Sequence, residues 1–573
     1  MAKFFIGLVT GIALVLLTVF LLFFAALRLR ERPPAVADNS VLILKLSGSL
    51  PEKPTVELPE FLGGGSPATT PNVWMALKKA AADSHIKAIF LEPQSLSAGW
   101  ATLEELRSGI EQFKKSGKPV FAYLRTPSAR DYYVALAADR IYQGPEDPLM
   151  LKGLRAEVMF FKNTLDKLGV NIEVERAGKY KDFGDMFTRT NMSPESREVI
   201  TGIVDELYGN IVDRIAAARR KSPEEVKAII DNGPFTAAQA LKAGLVDKLT
   251  YADEAWGELK DRLKSGEPEK VSLDRYIKVQ PEDAGISAKR RIALVVGQGD
   301  ILRGSPSDDG TEQGTLTAYG FNRMLKQVEN DPQIQGVIVR IDSPGGEVTA
   351  SDDIWRAMTL LSKKKPMVIS MADVAASGGY YMAMTGDPIV ASPLTQTGSI
   401  GVVFGKPNLR GLYDKLGIAK DAIQRGRNAD IDSDYTPLTP EQRRKLQEGI
   451  DASYVSFVTK VAAARRRTFA EIEPVAQGRV WLGSQAKSHG LVDELGGLDR
   501  AVELVKKKAN IPASENVKLV MYPARRSLLD LLMQRKPEEM LQTRIEQVLG
   551  RVPFRAWMQG GFLRMMPYWI EVR

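Results

Sequence analysis

The chain has 573 residues, 44% hydrophobic and 26% charged, the balance of a globular protein too long for one core and expected to hold at least two domains. It has no cysteine and two histidines, His85 and His489, which excludes thiol catalysis, disulfides and zinc–thiolate sites and disfavours a histidine base on supply alone. The formal net charge of +8 is spread thinly, arguing against a nucleic acid partner, and with no carboxylate cluster neither a metal nor a cofactor is expected.

After a short flank at 1–3, residues 4–27 carry no charge, long enough for a membrane-spanning helix, which needs about 20 residues. The Ala25-Ala26-Leu27 end is a poor cleavage site, so the stretch reads as an uncleaved anchor. Its flanks, Lys3 on one side and Arg28, Arg30 and Arg32 on the other, mildly favour a cytoplasmic body. Residues 28–39, with Pro33-Pro34, read as a linker.

The body then repeats itself at an offset of about 248 residues. The run at 86–91 matches 334–339, Tyr132-Tyr133 matches Tyr380-Tyr381, and 165–169 matches 413–417. Ala216–Arg220 matches Ala462–Arg466, and Gly244–Asp247 matches Gly490–Asp493. Two tandem domains of one α/β fold are therefore expected at 40–285 and 290–525, because short β-branched runs alternate with helical stretches such as 103–115 and 352–363. His85 lies just ahead of a strand and His489 at a helix end, structural places for both. A tail at 526–573 breaks the repeat, and its runs at 528–533 and 562–566 suggest amphipathic helices covering a domain edge or a subunit contact.

The differences between the copies carry the chemistry. The second copy has an apolar strand at 367–371, then Ala375-Ala376-Ser377-Gly378-Gly379 and a small-residue helix. An isolated Ser-Gly-Gly is usually an N-cap in a tight turn. A serine at a strand-to-helix corner, however, sits where free backbone N–H groups favour negative charge, and the Gly378 amide can face an oxyanion. The first copy has Ala129, or Arg130 with the gap placed otherwise, and neither can attack a carbonyl. Likewise Ser343-Pro344-Gly345-Gly346, whose glycines let an amide approach a ligand, is replaced by Ser95-Leu96-Ser97-Ala98. The first copy instead has Gly178-Lys179-Tyr180-Lys181, and Lys181 has no lysine counterpart in the second. Lysine is the usual substitute base, but its pKa near 10.4 must fall toward neutrality, as burial in an apolar cleft between the domains could arrange. Asp182 and Asp185 would oppose that fall, so they are expected to point into solvent, or else the optimum is alkaline.

Together, residues 343–346, 375–380, Thr397-Gly398-Ser399-Ile400-Gly401 and 178–181 resemble the signal peptide peptidase A family of S49-type serine proteases in its long, tandem-domain form. The similarity runs over nearly all of 40–525 and the amino-terminal anchor. The resemblance implies two tandem domains of the fold shared by Clp protease and crotonase enzymes. It implies a Ser/Lys dyad, with Ser377 as nucleophile and Lys181 as general base. Gly346 and Gly378 are the implied oxyanion donors, with Gly345 as alternative to Gly346. Ser399 is the implied holder of the lysine amine, with Thr397 as second candidate. It further implies signal peptide remnants and other apolar peptides as substrates, a homotetramer, and an inner-membrane anchor with the body in the periplasm, against the flanking charges. The stretch Met159-Phe160-Phe161 is expected to help line a greasy cleft. The rival readings are a crotonase-like acyl-CoA enzyme, because paired glycines also stabilise a thioester enolate, and a non-catalytic membrane scaffold.

Overall fold

The computed structural model describes residues 7, 10–18, 35–53, 68–264, 266–311, 314–524 and 562–566. The expected anchor at 4–27 falls mostly outside them, and among the described residues no helix is long and apolar enough to cross a membrane.

The first half contributes β1 (Ser40–Gly48), β2 (Ile86–Leu96), β3 (Val120–Leu124), β4 (Arg140–Gln143), β5 (Asn171–Ala177), β6 (Lys248–Leu249) and β7 (Glu269–Ser272). Except for β5 these form one parallel sheet in the order β6-β4-β3-β2-β1-β7. Continuous apolar runs such as Ile89-Phe90-Leu91 are buried on both faces, as a helix-covered parallel sheet requires.

The second half contributes β8 (Arg290–Gln298), β9 (Asp300–Leu302), β10 (Thr315–Thr317), β11 (Ile334–Ser343), β12 (Gly345–Glu347), β13 (Met367–Ala376), β14 (Ile389–Ala391), β15 (Gln396–Gly398), β16 (Val402–Asn408), β17 (Val480–Leu482), β18 (Glu494–Leu495) and β19 (Val517–Tyr522). Its main sheet runs β17-β15-β13-β11-β8-β19, with β14 beside β13 and β18 beside β14. Among the described strands of that sheet, β17 alone runs antiparallel, against β15.

The sequence repeat is also a repeat of contacts. Tyr132 donates to the Leu245 carbonyl at 2.7 Å and Tyr380 to that of Leu491 at 2.8 Å. Arg219 bonds Gly244 and Asp247 as Arg465 bonds Gly490 and Asp493.

A third, smaller sheet joins the halves in the order β10-β9-β12-β20-β16-β5, where β20 is Phe562–Met565. Here β5 of the first half pairs antiparallel with β16 of the second, from Ala177 opposite Val402 to Asn171 opposite Asn408. The 562–566 run is thus a strand and not an amphipathic helix. A five-residue run is too short for periodicity to decide, and here β12 and β16 offer it ladder partners on both sides. The companion run at 528–533 lies outside the described residues.

A buried polar cluster also ties the halves. Arg340 on β11 is 1% exposed at its side chain and donates to Glu52 at 2.7 and 3.0 Å, to Glu105 at 2.6 Å and to Ser370 at 2.9 Å. Beside it, Asp373 on β13 accepts from the amides of Gly99 and Thr102 and from the Thr102 hydroxyl, at the start of the first-half helix Trp100–Lys114. A carboxylate aimed at a helix N-terminus is favoured by the free N–H groups there.

Candidate active site

β13 runs to Ala376, and the helix Gly378–Met382 begins two residues later, two positions earlier than the sequence suggested. Ser377 makes the corner with φ 53° and ψ −113°, a left-handed backbone uncommon for any residue but glycine. Its amide donates to the Gly398 carbonyl at 2.8 Å, and its carbonyl accepts from Tyr381, closing the first helical turn. The side chain is fully buried.

Lys181 arrives from the other half. Because β5 and β16 are antiparallel with Ala177 opposite Val402, the chain leaving β5 runs back alongside the residues that precede β16. Lys181 therefore comes level with Ser399. On the other side β15 lies parallel to β13, with Gly398 opposite Ala376, so Ser399 and Ser377 are also level. The lysine Nζ ends 2.8 Å from Ser377 Oγ, 2.9 Å from Ser399 Oγ and 3.0 Å from the Ser399 carbonyl. The lysine loop is fastened by its Tyr180 amide, which donates to Gln477 at 2.7 Å. Gly478 must be glycine: its φ is +77°, and a β-carbon there would lie 2.6 Å from the Lys181 backbone nitrogen.

Burial holds the Lys181 amine well below its usual pKa; the nearby Asp182 opposes this and Arg564 adds to it. The two carboxylates after the lysine do not point into solvent. Asp182 is buried, accepts from Ser196, and burial pushes it up to about 7, which weakens its opposition near neutrality. Asp185 is buried too and pairs with Arg176 at 3.2 Å.

Thr397, the second candidate for holding the amine, donates instead to the Ala375 carbonyl at 2.7 Å and faces the β13 core. Gly345, Gly346 and Gly378 converge beside Ser377. A β-carbon on Gly345 would stand 2.6 Å from the Gly378 nitrogen, and one on Gly378 would stand 3.1 Å from the Gly346 nitrogen. At the equivalent corner of the first half, Ala129 opens a helix capped by Ser128.

The apolar wall beside the site differs in part from expectation. Phe161 stacks on Phe187 in a buried cluster with Phe183, Val403, Ile172, Leu563 and Met565, whereas Met159 is 69% exposed. The histidines lie away from the Ser377–Lys181 contact: His85 bonds Asp83 at 2.8 Å, and His489 packs on Trp481. Gln477, Gly478 and the strand Phe562–Met565 were missed in the sequence. For the last, the alternation of Leu563 and Met565 with Arg564 was the available signal.

Residues 112–265 and 359–512 each match peptidase family S49, and residues 312–397 match Clp protease. The chain is 36% identical over 492 residues to the chloroplastic serine protease SPPA of Arabidopsis thaliana, covering 85% of this chain and 71% of that one. It is 33% identical over 525 residues to Protease 4 of Salmonella typhi, covering 86% and 82%. Among solved structures, a mutant of the Clp protease subunit ClpP1 from Listeria monocytogenes is similar over 36% of this chain and 91% of its own, at 16% identity and a TM-score of 0.23.

Proposed function

The chain belongs to peptidase family S49 and is a serine protease with tandem Clp-protease-like α/β domains; from that premise we propose that it is a Ser/Lys dyad endopeptidase acting on extended apolar peptides, cleaved signal peptides among them. The observation that carries this reading is the 2.8 Å contact between the Lys181 amine and the Ser377 hydroxyl, made across the two halves inside a fully buried site.

In the proposed mechanism, neutral Lys181 donates its own hydrogens to the carbonyl and hydroxyl of Ser399. Its lone pair then faces the Ser377 O–H and takes that proton as Oγ attacks the peptide carbonyl. The amides of Gly346 and Gly378 hold the oxyanion. The lysinium returns the proton to the leaving amine, and the freed lysine activates the water that hydrolyses the acyl-enzyme. The residues at 40–285 supply the base and those at 290–525 the nucleophile, so neither unit is competent alone.

We also place the anchor at residues 4–27, in a bacterial inner membrane with the body periplasmic, which protease accessibility on spheroplasts tests. A homotetramer is in keeping with the exposed apolar side chains Leu168, Leu416, Ile418 and Ile423, and light scattering tests it. The dyad itself is tested by hydrolysis of an apolar peptide ester. Ser377→Ala and Lys181→Ala each abolish turnover with the fold retained, and normal turnover in Lys181→Ala refutes the assignment.

A further inference from the structure

Three consecutive residues, Gln477-Gly478-Arg479, lie between the loop that carries Lys181 and the turn that carries Ser399. β17 runs antiparallel to β15 with Gly398 opposite Val480, so the chain just before β17 passes the residues just after β15. There the Ser399 amide donates to the Arg479 carbonyl and the Gly478 amide to the Ile400 carbonyl, each at 2.7 Å. On its other side the segment takes the lysine loop. The Gln477 carbonyl accepts from the Tyr180 amide at 2.7 Å, and the Gln477 side-chain oxygen accepts from the Lys179 amide at 3.0 Å. Gln477 holds a left-handed φ of 52° to do this, a conformation that persists in a residue other than glycine only where its surroundings impose it. One short bracket thus bonds the backbone beside Lys181 to the backbone at Ser399.

Arg479 closes the bracket with its side chain. The guanidinium lies between the rings of Tyr180, 5.0 Å away, and Trp481, 4.4 Å away. Its Nη1 donates to the Tyr180 hydroxyl at 3.3 Å and to the Glu198 carboxylate. Glu198 also accepts from the Tyr180 hydroxyl at 3.2 Å. It belongs to the first-half helix Pro194–Arg219, whose Ser196 bonds Asp182. Tyr180 and Asp182, the neighbours of Lys181 on either side, are therefore both fastened to one helix, and Arg479 fastens that helix to the second half. A planar guanidinium suits the place, because it stacks on aromatic faces while its fork meets a carboxylate. The Glu198 side chain is 49% exposed, and an ion pair that open adds little to stability. What the cluster supplies is geometry.

The first half has the same framework without the clamp. There Leu149 bridges Phe235 antiparallel, the counterpart of Thr397 opposite Trp481. Gly233 precedes Phe235 by as many residues as Arg479 precedes Trp481, so the half with Ala129 at its corner has no side chain at the clamp position.

We propose that Arg479 is a positioning residue for the general base: by clamping Tyr180 and Glu198 of the first half to the segment that holds the Ser399 amide, it keeps the Lys181 amine on the Ser377 hydroxyl. The guanidinium bonds Tyr180 and Glu198 and acts on the reaction through them. The role rests on the Ser/Lys reading. Misplacing a reacting group by about 1 Å can cost about 100-fold in rate, and with the backbone bonds of the bracket kept, loss of the side chain alone is expected to cost about tenfold.

The test uses the full chain, steady-state hydrolysis of an apolar peptide ester and fluorophosphonate labelling of Ser377, with melting followed by circular dichroism. Arg479→Met lowers kcat about tenfold and leaves KM within about twofold of the parent. The acid limb of its kcat/KM profile moves to higher pH, because burial is what holds the amine low and a loosened loop admits water. A loss of folded protein alone would lower the rate at every pH and leave the limb in place. Glu198→Gln, which leaves the backbone of the bracket untouched, moves both readouts the same way by less, and in the Arg479→Met background it costs nothing further. Arg479→Lys, which keeps the charge without the planar fork, recovers part of the rate. In Lys181→Ala, adding Arg479→Met changes the residual labelling rate by less than about twofold, since the base it positions is gone. Parental kcat in Arg479→Met, an unmoved limb, or the full tenfold loss repeated in the Lys181→Ala background overturns the proposal and leaves the dyad in place. Normal turnover in Lys181→Ala refutes the dyad, and this role with it.

Discussion

Arg340 is the cation on which the joint between the halves depends, and Arg340→Met tests that dependence. The guanidinium is 1% exposed at its side chain and supplies four hydrogen bonds, two to Glu52, one to Glu105 and one to Ser370. Methionine fills much of the volume but leaves two buried carboxylates without their partner, which costs about 3–5 kcal/mol when one member of a buried pair is removed. Burial already pushes Glu52 up to about 7 and Asp342 up to about 6 even with the arginine in place. Without it the folded-state values rise further. A carboxyl whose folded pKa exceeds its unfolded one stabilises the fold below the unfolded value, and that contribution is lost as pH rises through the folded value. The penalty of Arg340→Met is therefore smaller at pH 6 than at pH 8.5. It grows above pH 7 by up to about 1.4 kcal/mol per pH unit for each carboxyl still protonated in the folded state. Urea denaturation of parent and variant at pH 6 and pH 8.5 reads this directly. A penalty under about 1 kcal/mol, or one that shrinks as pH rises, refutes the reasoning.

Ser399→Ala removes one of the lysine's acceptors, worth about 1–1.5 kcal/mol. It should lower kcat about 5- to 10-fold with KM unchanged in steady-state peptide ester hydrolysis. Asp182→Asn removes the charge that opposes the fall in the lysine pKa, so the acid limb of kcat/KM, which rises as Lys181 loses its proton, should move to lower pH; a limb that stays put or moves up contradicts the assigned electrostatics. Gly478→Ala forces a β-carbon to 2.6 Å from the Lys181 backbone nitrogen at a φ of +77° and should cut turnover at least about 100-fold by displacing the lysine loop. Circular dichroism should show the fold intact.

Much of this was legible in the sequence because duplicated chains leave a control beside each candidate residue. Ala129 shows what the corner looks like without a serine, and the first copy's Ser97-Ala98 shows the loop without Gly345 and Gly346. The matching Tyr132 and Tyr380 bonds confirm that the repeat is one of contacts and not only of letters. What stayed hidden depended on partners distant in the chain. Nothing local to 171–177 says that this strand pairs with 402–408 and not within its own copy, yet that pairing levels Lys181 with Ser399. Asp182 reads as a solvated neighbour of the lysine until Ser196, on the helix Pro194–Arg219, is seen to cover it. Thr397 and Ser399 differ by two positions at a strand end, and only the left-handed turn at Ser399, φ 51°, decides which of them meets the amine. Phe562–Met565 takes strand form from the edges it joins.

The most direct measurement of the central claim is the rate at which a fluorophosphonate modifies Ser377 as a function of pH, in the parent and in Lys181→Ala. If Lys181 strips the serine proton, the parent rate rises through one limb well below the ordinary lysine value, and in Lys181→Ala that limb disappears along with most of the rate. The same limb and rate in both proteins would contradict the account.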